Sequence, residues 1–230
     1  MKEIVSPLVA GVDVGSRTAK AVIMGEGRVL SSCLIPSVVN PPKAARHAIE
    51  EALKKIGLSS IDDIGYIVGT GYGRARISFA STQTSEITCH AKGAHYLCSD
   101  VRTVIDIGGQ DCKVIGLGKD GKILDFAMND KCAAGTGRFL ESMARTLEME
   151  LEEFLDIHDS ATSPIPITSV CSVFAESEVI SLLNEGHAIK DIVAGLHAAM
   201  ATRVSSLSRK VGVTEEVTIT GGVRKRQGTR

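Results

Sequence analysis

The sequence lacks several features that would point to common classes of partner. It contains no Trp and only 3% aromatic residues, which argues against a base-stacking surface for single-stranded nucleic acid. Its 26 Lys and Arg are balanced by 27 Asp and Glu, so no global charge favours nucleic acid or an anionic membrane. No apolar run approaches the roughly 20 residues that a membrane helix needs. We therefore expect no nucleic-acid partner and no membrane partner.

Signals for export and for short metal motifs are also lacking. The N-terminal stretch has an early acid and an Asp inside its apolar run, unlike a secretory leader. This predicts a cytoplasmic protein whose 6 cysteines are mostly reduced. No Cys-x-x-Cys pair is present, which disfavours a zinc knuckle or a thioredoxin-like site. The 230 residues suffice for one large domain or two small ones.

The two halves of the sequence repeat one pattern. The segment GVDVGSRTAKAVIM at 11–24 aligns with VIDIGGQDCKVIGL at 104–117, which pairs Asp13 with Asp106. In each copy a Lys follows the Asp by seven residues, and a Gly-containing turn then leads to another aliphatic run. Such turns between apolar runs predict a three-stranded antiparallel meander in each half.

The parallel extends beyond the meanders. Residues 42–57 have helical spacing and a Gly stop, and their counterpart is expected to be the helix that opens near 133–137 and runs through Met149. An apolar strand with a glycine turn follows at 64–74 and again at 217–225. The sequence therefore predicts an α/β fold made of duplicated βββαβ units.

These units predict two similar lobes that face each other across a cleft. The first lobe is expected to cover residues 1–84 and the second residues 100–230. A helical stretch at 85–99 is expected to link them.

Each Asp-x-Gly hairpin has the composition of a phosphate cradle, because a glycine-rich turn presents successive backbone N–H groups to an anion. Asp13 and Asp106 would repel a phosphate, but they suit a Mg²⁺ ion whose waters they bind. Gln110 or Asp111 is expected to orient an attacking water. Neither Asp13 nor Asp106 is expected to be a core residue. The predicted phosphate-binding residues are Gly15, Ser16, Arg17, Thr18 and Lys20 in the first copy, and Gly108, Gly109, Gln110, Asp111 and Lys113 in the second.

Four sequence motifs resemble those of a known ATPase family, and the resemblance extends over about residues 8–223. The segments are GVDVGSRTAK, DIGGQDCK, MNDKCAAGTGRFLE and SVCSVFAESEVISLL. Together they resemble the 2-hydroxyacyl-CoA dehydratase activators and benzoyl-CoA reductase ATP-binding subunits, within the superfamily of actin, sugar kinases and heat-shock chaperones. The resemblance implies ATP between the two lobes, with Gly221 and Gly222 against the adenosine. It also adds Gly135, Thr136 and Gly137 to the expected nucleotide site.

Two cysteines are candidate metal ligands. Cys132 and Cys171 each precede a predicted helix, and a helix N-terminus favours a thiolate. From the residues alone, a pair of buried core cysteines is the better explanation. The resemblance implies instead that one [4Fe-4S] cluster bridges two subunits, each of which supplies both cysteines. The remaining cysteines are expected to pack as small apolar groups, and they are Cys33, Cys89, Cys98 and Cys112.

The resemblance thus implies an ATP-dependent one-electron donor of anaerobic metabolism. A homodimer, or a dimer with a close paralogue, would pass an electron to an acyl-CoA dehydratase or benzoyl-CoA reductase-type enzyme, and ferredoxin or flavodoxin would supply it. Two alternative functions remain. A sugar-kinase-like phosphotransferase would need a general-base Asp and no cysteine pair, and a non-redox actin-like ATPase switch would act by binding partners.

Two features depart from the family pattern. Arg17 stands where the family more often has a small hydroxyl residue, and its guanidinium is a candidate partner for a phosphate. The sequence stops seven residues after Val223, where family members continue with a closing strand and helix. The second lobe is therefore expected to lack these closing elements.

Overall fold

The structure is a computed structural model that describes residues 7–129, 135–168 and 171–222. Backbone contacts divide the chain into two compact units, Met1–His90 and Ala91–Arg230. Within the described residues, no helix combines the length and the apolar character that a bilayer crossing requires.

A five-stranded sheet with one helix packed on it forms the first unit. The strands are β1 (Leu8–Val14), β2 (Thr18–Gly25), β3 (Arg28–Pro36), β4 (Ile64–Thr70) and β5 (Thr82–Gln83), and the helix is α1 (Pro41–Lys54). Their order across the sheet is β3-β2-β1-β4-β5. The first three strands are antiparallel, and β4 lies parallel to β1. The meander that the turns predicted is confirmed.

Helix α1 shows how local sequence fixes this unit. The Asn40 side chain accepts a hydrogen bond from the Lys43 N–H at 3.2 Å and so caps the first turn, while Pro41 and Pro42 occupy positions that need no donor. The chain turns away beyond the helix at Gly57, which has φ +77°. Small and aliphatic side chains at helical spacing bury one face against β2 and β3, and they are Ala44, Ala45, Ala48, Ile49, Ala52 and Leu53.

The second unit repeats this arrangement with a four-stranded sheet. Its strands are β6 (Thr103–Ile107), β7 (Cys112–Leu117), β8 (Ile123–Asn129) and β9 (Val217–Thr220). The order β8-β7-β6-β9 matches β3-β2-β1-β4, and β9 again runs parallel to β6. The predicted duplication of a βββαβ unit is therefore confirmed.

The helices reveal one error in the predicted correspondence. They are α2 (Glu86–Leu97), which contains the chain boundary between the two units, and α3 (Gly137–Thr146), α4 (Leu151–Asp156), α5 (Ser172–Asn184) and α6 (Ile189–Val211). The helix that packs on β7 and β8, as α1 packs on β2 and β3, is α6 and not α3. The C-terminal half of α6 covers the sheet through Val204 and Leu207. Its N-terminal half shares a separate apolar core with α3, α4 and α5, in which Phe139, Phe154 and Leu196 are buried.

The four cysteines expected to pack as apolar groups have different environments. Cys112 is buried against α6, and Cys33 packs on the core of the first unit. Cys89 is half-buried. Cys98 is exposed just beyond α2, so the prediction was wrong for this residue: the helix ends at Leu97, whose side chain is itself exposed.

Candidate functional site: two Asp-Gly hairpins and an exposed cysteine

The first hairpin joins β1 to β2. The Gly15 N–H donates to the Thr18 carbonyl at 3.0 Å and closes the turn, while Ser16 and Arg17 are exposed at its tip. Asp13 and Lys20 lie opposite each other in the strand register, and their charged groups form an ion pair of 2.8 Å. Both side chains keep part of their surface in solvent, 30% for the acid and 40% for the lysine. A carboxylate and an ammonium therefore stand at the base of an accessible turn.

The turn that follows β4 packs against this hairpin. Gly71 follows β4 with φ +89°, and a side chain there would collide with the Asp13 carboxylate and the Val14 carbonyl. Two residues further on, the Gly73 N–H donates to the Val14 carbonyl at 2.9 Å. Gly71 is not among the residues predicted from the sequence, although aligning GTGYGR (69–74) with ITGGVR (219–224) pairs it with Gly221.

The second hairpin joins β6 to β7 and is held by α3. The Gly108 N–H donates to the Asp111 carbonyl at 2.9 Å, and Gln110 is exposed at the tip. The first two N–H groups of α3, from Gly137 and Arg138, donate to the carbonyls of Gly108 and Gly109, each at 2.9 Å. The glycine-rich start of α3 is therefore built directly onto the predicted phosphate loop. Gly135 and Thr136, which precede Gly137, are buried.

Asp106 is part of the core, contrary to the prediction. Its side chain is only 4% exposed, and so is that of Lys113, whose ammonium lies 3.5 Å from Asp106 and 2.8 Å from Asp111. The Thr220 hydroxyl donates to the other carboxylate oxygen of Asp106 at 2.9 Å. The physical reason lies in the neighbouring side chains, because Lys113 on β7 and Thr220 on β9 both contact the Asp106 carboxylate. Thr220 was not among the predicted site residues.

The glycine turn after β9 closes the second site. Gly221 has φ +102°, and a side chain there would collide with the Ile107 backbone at the end of β6. Gly222 is exposed and has no described atom within 4 Å of the position of a Cβ. The predicted residues of the second half from Asp106 to Lys113, together with Gly137 and Gly221, thus converge on one hairpin.

A buried thiol lies at the base of the second hairpin. Burial, and then the charge of the neighbouring Asp106 carboxylate, raise the pKa of Cys112 to about 11. In the first unit, burial likewise raises the pKa of Cys89, which sits beside Thr70. Both thiols are therefore held in the protonated form, which is a poor nucleophile and a poor metal ligand.

Of the two candidate ligand cysteines, Cys132 lies outside the described residues. Cys171 is exposed and occupies the N-cap of α5, where its side chain makes no capping hydrogen bond. The next residues along α5, Val173 and Phe174, expose 66% and 67% of their surface. Among the described residues there is no group of three or more His, Cys, Asp or Glu side chains arranged to hold a metal ion. Any metal bound by Cys171 thus needs further ligands from elsewhere.

Comparison with known proteins gives close relatives. The chain is 47% identical over 218 residues to the activator of lactoyl-CoA dehydratase from Anaerotignum propionicum, covering 95% of this chain and 84% of that protein. Component A of (R)-2-hydroxyglutaryl-CoA dehydratase from Acidaminococcus fermentans superposes with a TM-score of 0.89 at 41% identity, covering 97% of this chain and 86% of that one. The activator of 2-hydroxyisocaproyl-CoA dehydratase from Clostridium difficile, solved with bound ADPNP, has a TM-score of 0.86 at 44% identity, covering 96% and 82%.

These solved structures also confirm the predicted fold class. A family model of ATPases matches residues 10–230, nearly the whole chain and both Asp-Gly hairpins. The chain is therefore an ATPase and belongs to the BadF/BadG/BcrA/BcrD ATPase family.

Proposed function

We propose that this ATPase is the activator of an acyl-CoA dehydratase or reductase, to which it delivers single electrons at the expense of ATP. The observation that carries the proposal is the exposed Cys171 at the first turn of α5, in a chain whose relatives are named as dehydratase activators. An activator needs both a nucleotide site and an accessible redox ligand. The chain offers candidates for both.

The nucleotide is proposed to bind at the Asp-Gly hairpins. In the first hairpin, the turn at Gly15, Ser16 and Arg17 would hold phosphate oxygens, together with the hydroxyls of Ser16 and Thr18 and the charges of Arg17 and Lys20. In the second, the turn from Gly108 to Asp111 and Lys113 would do so, and the start of α3 at 135–137 would support that turn. The N–H groups of Gly15, Gly108 and Gly137 shape the site, because they are bonded to backbone carbonyls within it. Gly221 and Gly222 would border the adenosine. The ion pair of the first hairpin supports this role, because Lys20 is partly exposed and a phosphate would be an alternative partner to the Asp13 carboxylate.

Hydrolysis in this arrangement needs a metal ion and a positioned water. Asp13 and Asp106 would bind the waters of a Mg²⁺ ion that neutralises the phosphate oxygens. Gln110, exposed at the tip of its turn, would orient the water that attacks the γ-phosphorus. That water becomes part of the released phosphate as the bond to ADP breaks. Asp13 fits the metal role without rearrangement because it is partly exposed, whereas Asp106 would first have to give up its bonds to Lys113 and Thr220.

The redox group proposed for this family member is a [4Fe-4S] cluster, which when bound would supply a one-electron couple. Cys171 fits as a ligand because it is exposed and its sulfur makes no capping hydrogen bond. Cys132, five residues before α3, would be the second ligand. Two ligands per chain make four in a symmetric pair, so we propose a dimer with a second copy or a close paralogue. The exposed Val173 and Phe174 beside Cys171 are suited to such an interface.

The remaining partners follow from the same proposal. Ferredoxin or flavodoxin would reduce the dimer, and an acyl-CoA dehydratase or benzoyl-CoA reductase-type enzyme would accept the electron, all in the cytoplasm of an anaerobic cell.

The test is a pair of matched cysteine variants. After anaerobic reconstitution with iron and sulfide, Cys171→Ser should lose the bound iron and the paramagnetic signal of the reduced protein. Cys98→Ser removes another exposed thiol, just beyond the end of α2, and should keep both. Full iron content in Cys171→Ser would overturn the proposal. An iron-free but ATP-hydrolysing wild type would point to a sugar-kinase-like phosphotransferase or a non-redox switch.

A further inference from the structure

The segment that leads to Cys171 is hydrogen-bonded to α6. We call residues 161–168 the strap. The backbone N–H groups of Thr162 and Ser163 donate to one carboxylate oxygen of Asp191 at 2.8 and 2.9 Å, and the Ile165 N–H donates to the Asp191 carbonyl at 3.0 Å. The hydrogen bond from Ser163 is the main reason that the pKa of Asp191 is lowered. The N-terminal end of the strap is therefore fixed to the first turn of α6.

The other end of the strap is fixed to α5. The backbone N–H and the hydroxyl of Thr168 both donate to the same carboxylate oxygen of Glu178, each at 2.9 Å. Two donors converging on one charged acceptor make a stronger contact than a neutral hydrogen bond. Glu178 lies seven residues beyond Cys171, two turns along α5 and on the same side of the helix.

This contact limits where Cys171 can be. Thr168 is only three residues before Cys171, and three residues of chain span at most about 10 Å. A contact that fixes Thr168 therefore restricts where the first residue of α5 can lie. The Cys171 side chain makes no capping hydrogen bond to the first turn of α5, so the direction in which the chain enters the helix depends on other contacts.

We propose that Glu178 is a positioning residue that, by holding Thr168, fixes the Cys171 sulfur at the N-terminus of α5. The proposal rests on the function proposed above and adds a specific residue to it. An acid and a hydroxyl that touch no metal would thereby control how tightly the redox centre is held and at what potential it operates.

The experiment compares three variants of the full chain. Glu178→Ala removes the acceptor, Glu178→Gln keeps a neutral acceptor of the same shape, and Thr168→Val removes the hydroxyl without changing α5. Glu185→Ala is the matched control, because it removes an equal charge from the other end of α5, where the acid pairs with His187. Each is measured without iron by hydrogen exchange of peptides covering 161–172. Each is then loaded and measured for iron loss to a chelator, for the reduction potential and for the paramagnetic spectrum.

Glu178→Ala should raise amide exchange in the strap and speed iron loss by about tenfold, the scale of one charged hydrogen bond. Its potential and spectrum should shift, Thr168→Val should change less in the same direction, and Glu178→Gln should restore most of the wild-type behaviour. Faster exchange with unchanged iron loss, potential and spectrum would overturn the positioning role and leave Glu178 as a structural clasp. If Glu178→Ala does not fold, Thr168→Val decides by the same readouts. The proposed function fails separately, when Cys171→Ser retains its iron.

Discussion

The hydroxyl of Thr220 donates a 2.9 Å hydrogen bond to the buried carboxylate of Asp106. The equivalent Thr70, which faces Asp13 in the same parallel register, instead donates to the carbonyl of Thr84 at 3.0 Å. The two halves thus share a backbone plan, while their acids have different surroundings. Asp13 has Lys20 as a partner and meets solvent, whereas Asp106 is enclosed.

This asymmetry predicts different costs for removing each acid. Asp106→Ala should lower the free energy of unfolding by about 3 kcal/mol, because Lys113 loses one partner of a buried ion pair. Asp13→Ala should cost less than about 1 kcal/mol, since its ion pair is partly solvated. If both acids serve the nucleotide, each variant should hydrolyse ATP about 100-fold more slowly. Urea unfolding and phosphate release provide the two measurements.

The exposed Asp100 supplies the control for this comparison, and Asp100→Ala should leave stability and hydrolysis unchanged. Equal losses of stability in Asp13→Ala and Asp106→Ala would contradict the difference in burial. Normal hydrolysis in both variants would remove the hairpins from the nucleotide site.

Replacing each of the two adjacent glycines after β9 by Ala should affect stability differently. Gly221→Ala places a Cβ against the Ile107 backbone at φ +102° and should cost about 2 kcal/mol of stability, with weaker ATP binding. Gly222→Ala meets no described atom within 4 Å and should be nearly neutral for stability. Thermal unfolding and nucleotide titration test both variants. A neutral Gly221→Ala would show that the turn does not need a glycine.

The hairpins and meanders could be predicted because alternation and turn residues act over a few neighbours. The Asp13 and Lys20 pairing follows from the register of one hairpin, which the Gly15 turn fixes. The N-cap position of Cys171 was likewise local, because it depends only on where α5 begins.

The burial of Asp106 could not be predicted in this way. It depends on Thr220, which lies 114 residues further along the chain. The choice of α6 as the helix on the second sheet is also non-local, since β8 ends at Asn129 and α6 starts at Ile189. Several intervening segments have an apolar face, and helical periodicity does not tell which of them the sheet selects. The contact between Thr168 and Glu178 was missed for the same reason, because each residue looks like an ordinary surface polar group.

A histidine in the helical core predicts how stability falls in acid. The centroid of the His197 ring lies 5.2 Å from that of Phe154 and 4.6 Å from that of His158, both edge-on, and its buried Nε2 has no hydrogen-bond partner among the described residues. Burial, and then the charge of His158, lower the pKa of His197 from 6.5 to about 4, while Asp159 opposes this shift. A depressed pKa means that the folded state binds fewer protons than the unfolded state. Its stability is therefore intact above pH 6.5 and decreases as the pH falls through 4.

After allowance for partial solvent screening, the loss attributable to His197 should be about 2 kcal/mol between these limits. His197→Phe keeps an aromatic ring beside Phe154 and cannot titrate, so its unfolding midpoint in urea should depend less on pH. His187→Phe is the control, because His187 is an exposed residue that pairs with Glu185. Identical pH profiles for wild type and His197→Phe would show that this ring does not govern acid unfolding.

The exposed aromatic ring beside Cys171 predicts a link between self-association and metal retention. Phe174 exposes 67% of its surface one turn into α5, and an apolar side chain so close to the proposed ligand Cys171 suits an interface with a second copy. If a cluster is bound between two copies as proposed, Phe174→Ser should weaken the dimer and speed iron loss, because a site completed by two chains ties metal binding to assembly. Leu97→Ser removes an even more exposed apolar residue, at 83%, from the end of α2 and should change neither property.

Sedimentation and iron-chelation rates test both variants. ATP hydrolysis is expected to stay within about twofold of wild type, as for other surface changes. A Phe174→Ser protein that remains dimeric and holds its iron would place the second pair of ligands elsewhere.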